Sequence, residues 1–151
     1  MLALVVVGLA SPFMAAAQTA QKYAPRLADI MSAVQFRHLK LSLAGQQQNW
    51  QLAAYELELV KSGLVEAISL YDNIPVSNIT MVDGPIKALD GAIASKSSLA
   101  FAKAFQQLTA GCNACHQSIG RDFIAITVPT ASPFSNQSFV PPKGQGDNTR
   151  R

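Results

Sequence analysis

A five-residue run in the last third of the chain combines two cysteines, three positions apart, with an adjacent histidine. Cys112, Asn113, Ala114, Cys115 and His116 form C-x-x-C-H, in which two thiols add to the haem vinyl groups and the adjacent histidine ligates the iron. On a helix, cysteines three positions apart lie on one face, and the next residue directs an imidazole at the porphyrin centre. The run therefore predicts one covalent haem c on Cys112 and Cys115, with His116 as the iron ligand.

Two other uses of a C-x-x-C spacing fit this chain poorly. A structural zinc site takes four protein ligands, but the sequence has two cysteines and two histidines, and Cys115 and His116 would have to share one small tetrahedron. A thioredoxin-like motif follows a strand in a βαβ unit, whereas the residues before Cys112 have helical spacing. Both alternatives are therefore disfavoured.

The first residues have the pattern of an export signal. Residues 2–10 are apolar, Pro12 interrupts the run, and Ala15 and Ala17 occupy the positions that signal peptidase selects. The run is shorter than the roughly 20 apolar residues that a bilayer span needs. We therefore expect residues 1–17 to be a signal peptide cleaved near Ala17, a periplasmic location, and no stable membrane span.

The remaining chain is long enough for one domain with a modest core. We divide it into a helical domain over residues 18–127 and a proline-containing tail over residues 128–151, whose last part, from Lys143, is expected to be disordered. The formal net charge is +3, but no basic stripe with interleaved aromatic residues is present, so nucleic-acid binding is not expected. Four residues form an apolar strip in the tail: Val128, Phe134, Phe139 and Val140. The strip either lies against the bundle, as a haem lid or a strap that docks a partner, or has no function.

Apolar periodicity and capping residues predict four helices. Proline suits the first turn of a helix, and asparagine and serine are good N-terminal caps. The predicted boundaries are Pro25 to Gly45, Trp50 to Tyr71 after the cap Asn49, an opening at Asp83 or Gly84 with Pro85 in the first turn, and an opening after the cap Ser97.

The apolar faces of these helices converge on the haem motif. One face of the first helix holds both Met31 and His38, while Arg37 and Lys40 most simply belong to its solvated face. An unbroken seam on the fourth helix includes both cysteines: Phe101, Phe105, Leu108, Cys112, Cys115, Ile119 and Phe123. Short links join the first two and the last two helices, which favours an all-α, antiparallel four-helix bundle with the haem in its core.

The position of C-x-x-C-H on the last predicted helix resembles that in class II cytochromes c, the cytochrome c-prime group and its six-coordinate relatives. Class I cytochromes c place the motif near the N-terminus, whereas here most of the chain precedes Cys112. The resemblance covers residues 23–124. It implies a four-helix bundle with haem bound covalently at Cys112 and Cys115 and with His116 as the proximal axial ligand.

The sixth iron ligand decides between electron transfer and gas binding. In an antiparallel bundle the end of the fourth helix lies beside the start of the first. The helical rise places His116 about 11 Å from the end of its helix and Met31 roughly 7 to 9 Å from the start of the first helix, which favours Met31 as distal ligand. Ordinary core filling is the alternative for Met31. His38 lies about two turns deeper, where a core hydrogen bond is commoner than ligation, and Met81 is expected only to pack.

These expectations together define a periplasmic monohaem electron carrier that catalyses no reaction. It would dock weakly on a redox partner protein, either transiently or within a larger oxidoreductase. A five-coordinate haem protein that binds NO or CO is the alternative if Met31 does not ligate. A homodimer is left open.

Overall fold

The computed structural model describes residues 24–143, apart from residues 75 and 79. This part of the chain is all-helical and contains no strand. Its elements are α1 (Leu27–Gln46), α2 (Trp50–Leu70), a 3-10 turn (Val76–Asn78), α3 (Thr80–Ala94) and α4 (Ser98–Ser118). The expected signal peptide with its cleavage near Ala17, and the expected disorder of residues 144–151, lie outside the described residues. Within them no helix is long and apolar enough to cross a membrane.

The same short turn joins α1 to α2 and α3 to α4. Gln48 in the first turn and Lys96 in the second have left-handed backbones, with φ of 56° and 52°. The amides of each such residue and of its successor bond back to carbonyls in the last helical turn, which is a Schellman termination. The successors, Asn49 and Ser97, then cap the following helix by accepting from the amide three residues on, at 3.2 and 3.3 Å. The predicted caps are therefore confirmed.

The start of α3 was predicted wrongly. The helix does not open at Asp83 or Gly84 but at Thr80, so Pro85 lies inside it and not in its first turn. Proline has no amide to complete that part of the helix, but the first turns are held by packing, because Val82 is buried in the core. Met81, expected in an irregular connection, consequently lies in α3 with 37% of its surface exposed.

α1 and α4 run antiparallel, as the contacts at two levels show. A Cβ at Gly45 would lie 2.0 Å from the ring of Phe101, so glycine is needed for this close approach. Farther along, Nε2 of His38 lies 2.9 Å from Oγ1 of Thr109. Residue numbers fall on α1 as they rise on α4, which fixes the direction. Gly45, predicted to end the first helix, lies one residue before the α1 end at Gln46, and it also lets α4 come close.

The four helices pack as a bundle around one core. α1 packs mainly on α2 and α3 mainly on α4, while contacts between α2 and α3 and between α1 and α4 close the ring. The largest fully buried apolar side chains come from all four helices: Leu41, Leu57, Val60, Leu89, Phe105 and Leu108.

Two basic residues of α1, predicted to face solvent, contact other side chains instead. Arg37 lies 3.3 Å from a carboxylate oxygen of Glu56 on α2, and Glu56 is only 1% exposed. The Lys40 ammonium lies over the rings of Phe36 and Phe134, at 4.7 and 5.2 Å from their centroids. The prediction that Arg37 and Lys40 belong to a solvated face is therefore wrong, because Arg37 forms an interhelical ion pair and Lys40 covers two aromatic rings.

After α4 the chain returns along α1 without regular structure. We call residues 119–129 the return segment. Beyond it, Phe139 is 6% exposed and joins the core, and Phe134 packs edge-on against Phe36 with ring centroids 5.2 Å apart. The two valines of the predicted strip stay exposed, so half of the strip packs. Phe123, predicted to continue the buried seam, is 76% exposed because the helix ends before it.

Candidate cofactor site

A cavity of about 590 Å³ lies where α1 begins and α4 ends. α1, α2 and α4 form its walls, and the loop after α2 and the return segment complete them. Its volume is typical of sites that hold a small organic ligand. The cavity brings together all the site residues predicted from the sequence: Met31, His38, Cys112, Cys115 and His116.

Cys112 and Cys115 lie on one side of α4 and are free thiols. Burial raises the pKa of Cys112 to about 11, and the neighbouring Cys115 adds to this rise. Burial also raises the pKa of Cys115, although a hydrogen bond with Asn78 opposes the shift. Both groups are therefore neutral thiols at pH 7, without the thiolate character that marks a catalytic or redox-active cysteine.

The imidazole of His116 is oriented by a backbone carbonyl. Its Nδ1 lies 2.8 Å from the carbonyl oxygen of Ile124. Because a carbonyl can only accept, Nδ1 carries the proton and donates it, and the neutral ring has its lone pair on Nε2. A carbonyl that fixes the tautomer in this way is typical of histidines that ligate a metal through Nε2.

The carbonyl of Ile124 reaches His116 because the chain reverses directly after α4. Gly120 has a φ of 67°, a conformation that favours glycine. Its amide bonds to the Gln117 carbonyl at 3.1 Å, and the Arg121 amide bonds to the His116 carbonyl at 2.7 Å. This third Schellman termination ties the start of the return segment to the same residue whose ring contacts Ile124.

Asn113 ties the return segment to α4 at a second point. Its Nδ2 donates to the carbonyl of Ile126 at 2.9 Å, and its Oδ1 accepts from the amide of the same residue at 2.7 Å. One side-chain amide thus satisfies both backbone groups of Ile126. Asn113 occupies a variable position of C-x-x-C-H, and no role was predicted for it from the sequence.

The hydrogen bond between His38 and Thr109 sets the register of α1 against α4. Met31 lies seven residues before His38, and His116 lies seven residues after Thr109. Seven residues are about two turns and about 10 Å of rise, so these steps on antiparallel helices lead to the same level. Met31 and His116 therefore line the cavity at one level. The sequence analysis also placed them together, but it counted the rise from an α4 end near Phe123, whereas α4 ends at Ser118, about 3 Å beyond His116.

His38 lies deeper, and its ring is already engaged. The Thr109 hydroxyl donates its proton to the Phe105 carbonyl at 2.9 Å, so at 2.9 Å it accepts from Nε2–H of His38. The ring of Phe105 packs on the imidazole with centroids 4.4 Å apart. Burial lowers the pKa of His38 to about 4, so the ring is neutral at physiological pH. This is the core hydrogen bond expected as the commoner role of His38.

The donor atoms that line the cavity fit haem c better than a metal ion alone. Among residues 24–143 without 75 and 79, no group of three or more His, Cys, Asp and Glu side chains could hold a metal. The cavity instead has two thiols, an imidazole with a free Nε2 and a thioether, in a mainly apolar wall. This set can form two thioether links and two axial bonds to a haem.

No protein family model matches the chain, and no curated protein and no solved structure is significantly similar to it. A function is therefore inferred from its own residues and cavity.

Two features of the site were missed from the sequence. Gly120 does carry a usable signal, because a glycine just after an amphipathic helix predicts a left-handed C-terminal cap. Asn113 carries none, because it bonds to backbone atoms of a residue 13 positions later in an irregular segment. Every residue type has such backbone atoms, so no pattern of side chains reveals the pair.

Proposed function

We propose that this protein is a monohaem c-type cytochrome of the class II group that transfers electrons. Thioether bonds to Cys112 and Cys115 hold the haem, and Nε2 of His116 is the proximal iron ligand. The observation that supports this most is that both thiols and a carbonyl-oriented imidazole line one mainly apolar cavity of about 590 Å³. Bound haem supplies a one-electron couple, while the chain supplies attachment, axial ligands and exclusion of water.

The distal ligand in this proposal is Met31. It lines the cavity at the level of His116, and its flexible thioether makes no competing hydrogen bond. His38 suits the role less for two reasons. Its Nε2–H already donates to Thr109, and it lies about two turns deeper in the bundle than Met31. A thioether on the sixth position closes the iron to gases, which favours electron transfer over the five-coordinate alternative.

The proposed role is that of a carrier and not of an enzyme. A haem peroxidase needs a positioned acid–base group close to an open iron. Apart from His116, the histidine among the described residues that line the cavity is His38. Its hydrogen bond to Thr109 leaves its imidazole poorly placed to act as this acid–base group. A carrier needs a redox partner protein, transient or within a larger oxidoreductase, and the export signal predicted from the sequence favours the periplasm.

Absorption spectra of the oxidised and reduced protein test this function, after maturation in a host that attaches c-type haem. Six-coordinate haem predicts sharp α and β bands on reduction and no ready reaction with carbon monoxide. A single broad band with rapid carbon monoxide binding would favour the gas-binding alternative. A protein without haem absorption would contradict both.

A further inference from the structure

Asn113 and His116 both bind the return segment from neighbouring positions on α4. They lie three residues apart, so their side chains project from the same side of the helix. Asn113 pairs with both backbone groups of Ile126, at 2.9 and 2.7 Å, and His116 donates to the carbonyl of Ile124 at 2.8 Å. One residue separates these two anchor points. Movement of Ile126 away from α4 would therefore carry the carbonyl of Ile124 with it.

The other bonds of the return segment lie near its two ends. The turn at Gly120 anchors its beginning, and within the segment the Ile124 amide donates to the Arg121 carbonyl at 2.9 Å. Near its end, Nε2 of Gln46 donates to the carbonyl of Pro129 at 3.3 Å, in an exposed and long hydrogen bond. Between these ends the Ile124 side chain is exposed, while the Ile126 side chain is half-buried and lines the cavity. Past Ile124, Asn113 supplies the two hydrogen bonds that hold the segment to α4.

We propose that Asn113 is a positioning residue that lowers the reduction potential by holding the carbonyl of Ile124 against Nδ1–H of His116. The inference rests on the proposed function. A hydrogen bond at Nδ1 strengthens electron donation from Nε2 to the iron and favours its oxidised form. Without Asn113 the return segment is held less firmly, so the hydrogen bond from His116 to Ile124 weakens and the reduction potential rises. If the change only let water into the cavity, the reduction potential would fall, so the sign of the shift separates the two effects.

Two variants break the pair from opposite sides. Asn113→Ala removes the side-chain amide, and Ile126→Pro removes the backbone amide that donates to it while leaving C-x-x-C-H intact. In the haem-loaded full chain, each variant should favour the reduced form about tenfold more than wild type does. For a one-electron couple this raises the reduction potential by about 59 mV. NMR should show faster solvent exchange of the Nδ1 proton of His116. The double variant should shift no further than either single variant, because both changes break one pair.

Two controls separate this effect from general loosening. Asn49→Ala removes the α2 cap at the far end of the bundle, and Val128→Pro places a proline in the return segment where the amide bonds to no described residue. Both should leave the potential unchanged, and Asn113→Gln, which keeps an amide, should recover part of the shift.

Each other outcome has a defined meaning. A potential that stays constant or falls in both Asn113→Ala and Ile126→Pro would overturn the role of Asn113, and so would additive shifts in the double variant. If Asn113→Ala fails to mature, Ile126→Pro decides alone. A wild-type chain without covalent haem would instead overturn the proposed function. Exchange of the Ile126 amide in the haem-free chain would then show whether the pair with Asn113 exists.

Discussion

The two histidines of this chain line the same cavity but offer different nitrogens to it. His116 donates from Nδ1 to the carbonyl of Ile124, which leaves Nε2 free. His38 donates from Nε2 to Thr109, which leaves only Nδ1 without that partner. The hydrogen-bond partner of each ring, and not the residue type, therefore determines which histidine leaves Nε2 free towards the cavity.

Replacing Met31 should open the iron. In Met31→Ala the reduced protein should bind carbon monoxide readily, the sulfur-to-iron charge-transfer absorption of the oxidised protein should vanish, and the potential should fall with the loss of thioether ligation. Met81→Ala is the matched control, because this methionine lies in α3 outside the cavity lining. An unchanged Met31→Ala spectrum together with an opened site in His38→Ala would show bis-histidine ligation instead.

His38 should make the fold sensitive to acid. Burial lowers its pKa to about 4 from an ordinary 6.5, so between these values the unfolded chain binds a proton that the folded chain does not. Stability contributed by the neutral ring is present above pH 6.5, falls as the pH drops towards 4, and levels off below it. The loss should be about 3 kcal/mol.

Urea unfolding of wild type and His38→Gln at pH 7, 5.5 and 4 measures this effect. Glutamine does not titrate, so the free energy of unfolding of the variant should decrease less over this range. Parallel pH profiles for the two proteins would show that His38 does not carry the acid sensitivity.

The return segment closes one side of the cavity at the end of α4, and the chain beyond it packs on the bundle. α4 alone would leave one side of His116 facing water, but the Gly120 turn and the Asn113 pair bring residues 124 and 126 into the cavity wall. Farther along, Phe139 enters the core next to Phe134. The segment is irregular in backbone yet held at defined points, which is how irregular segments become ordered parts of a site.

Two phenylalanines after α4 should differ sharply in their effect on stability. Phe139→Ala removes a buried ring and should lower the free energy of unfolding by about 3 kcal/mol. Phe123→Ala removes an exposed ring and should change it by no more than about 0.5 kcal/mol. Chemical denaturation of both variants measures the difference. Equal, small effects would mean that the chain beyond the return segment does not belong to the folded domain.

Local signals in the sequence predict the helices well where capping decides their ends. Asn49 and Ser97 were predicted as caps because a short polar side chain that precedes an apolar periodic run satisfies free amides. The start of α3 was predicted too late, because Pro85 is typical of the first turn of a helix. In the structure the helix begins earlier, and Val82 in its first turn is buried. At Gly45 the predicted helix end was right to within one residue, but the close approach of Phe101 was missed because that contact joins residues far apart in sequence. For the level shared by Met31 and His116, the antiparallel direction was predictable, but the rise on α4 was counted from an end near Phe123 instead of Ser118.

At the scale of the whole molecule, the bundle has a mainly apolar cavity of about 590 Å³ at one end, lined by residues of α1, α2 and α4. Filling an apolar cavity stabilises a protein because the lining atoms gain packing partners. Under the proposed function, the haem would occupy this cavity and be held by residues of α4 and α1. Haem attachment would then stabilise the fold as well as supply redox chemistry.

The central claim is that haem is bound covalently through Cys112 and Cys115, and the intact mass of the denatured protein tests it most directly. Wild type that has been matured in a host with c-type haem attachment should carry the mass of one haem after denaturation. The Cys112→Ser/Cys115→Ser variant, produced in the same host, should have the mass of the polypeptide alone. Wild type without the added mass, or a double variant that retains it, would contradict the claim.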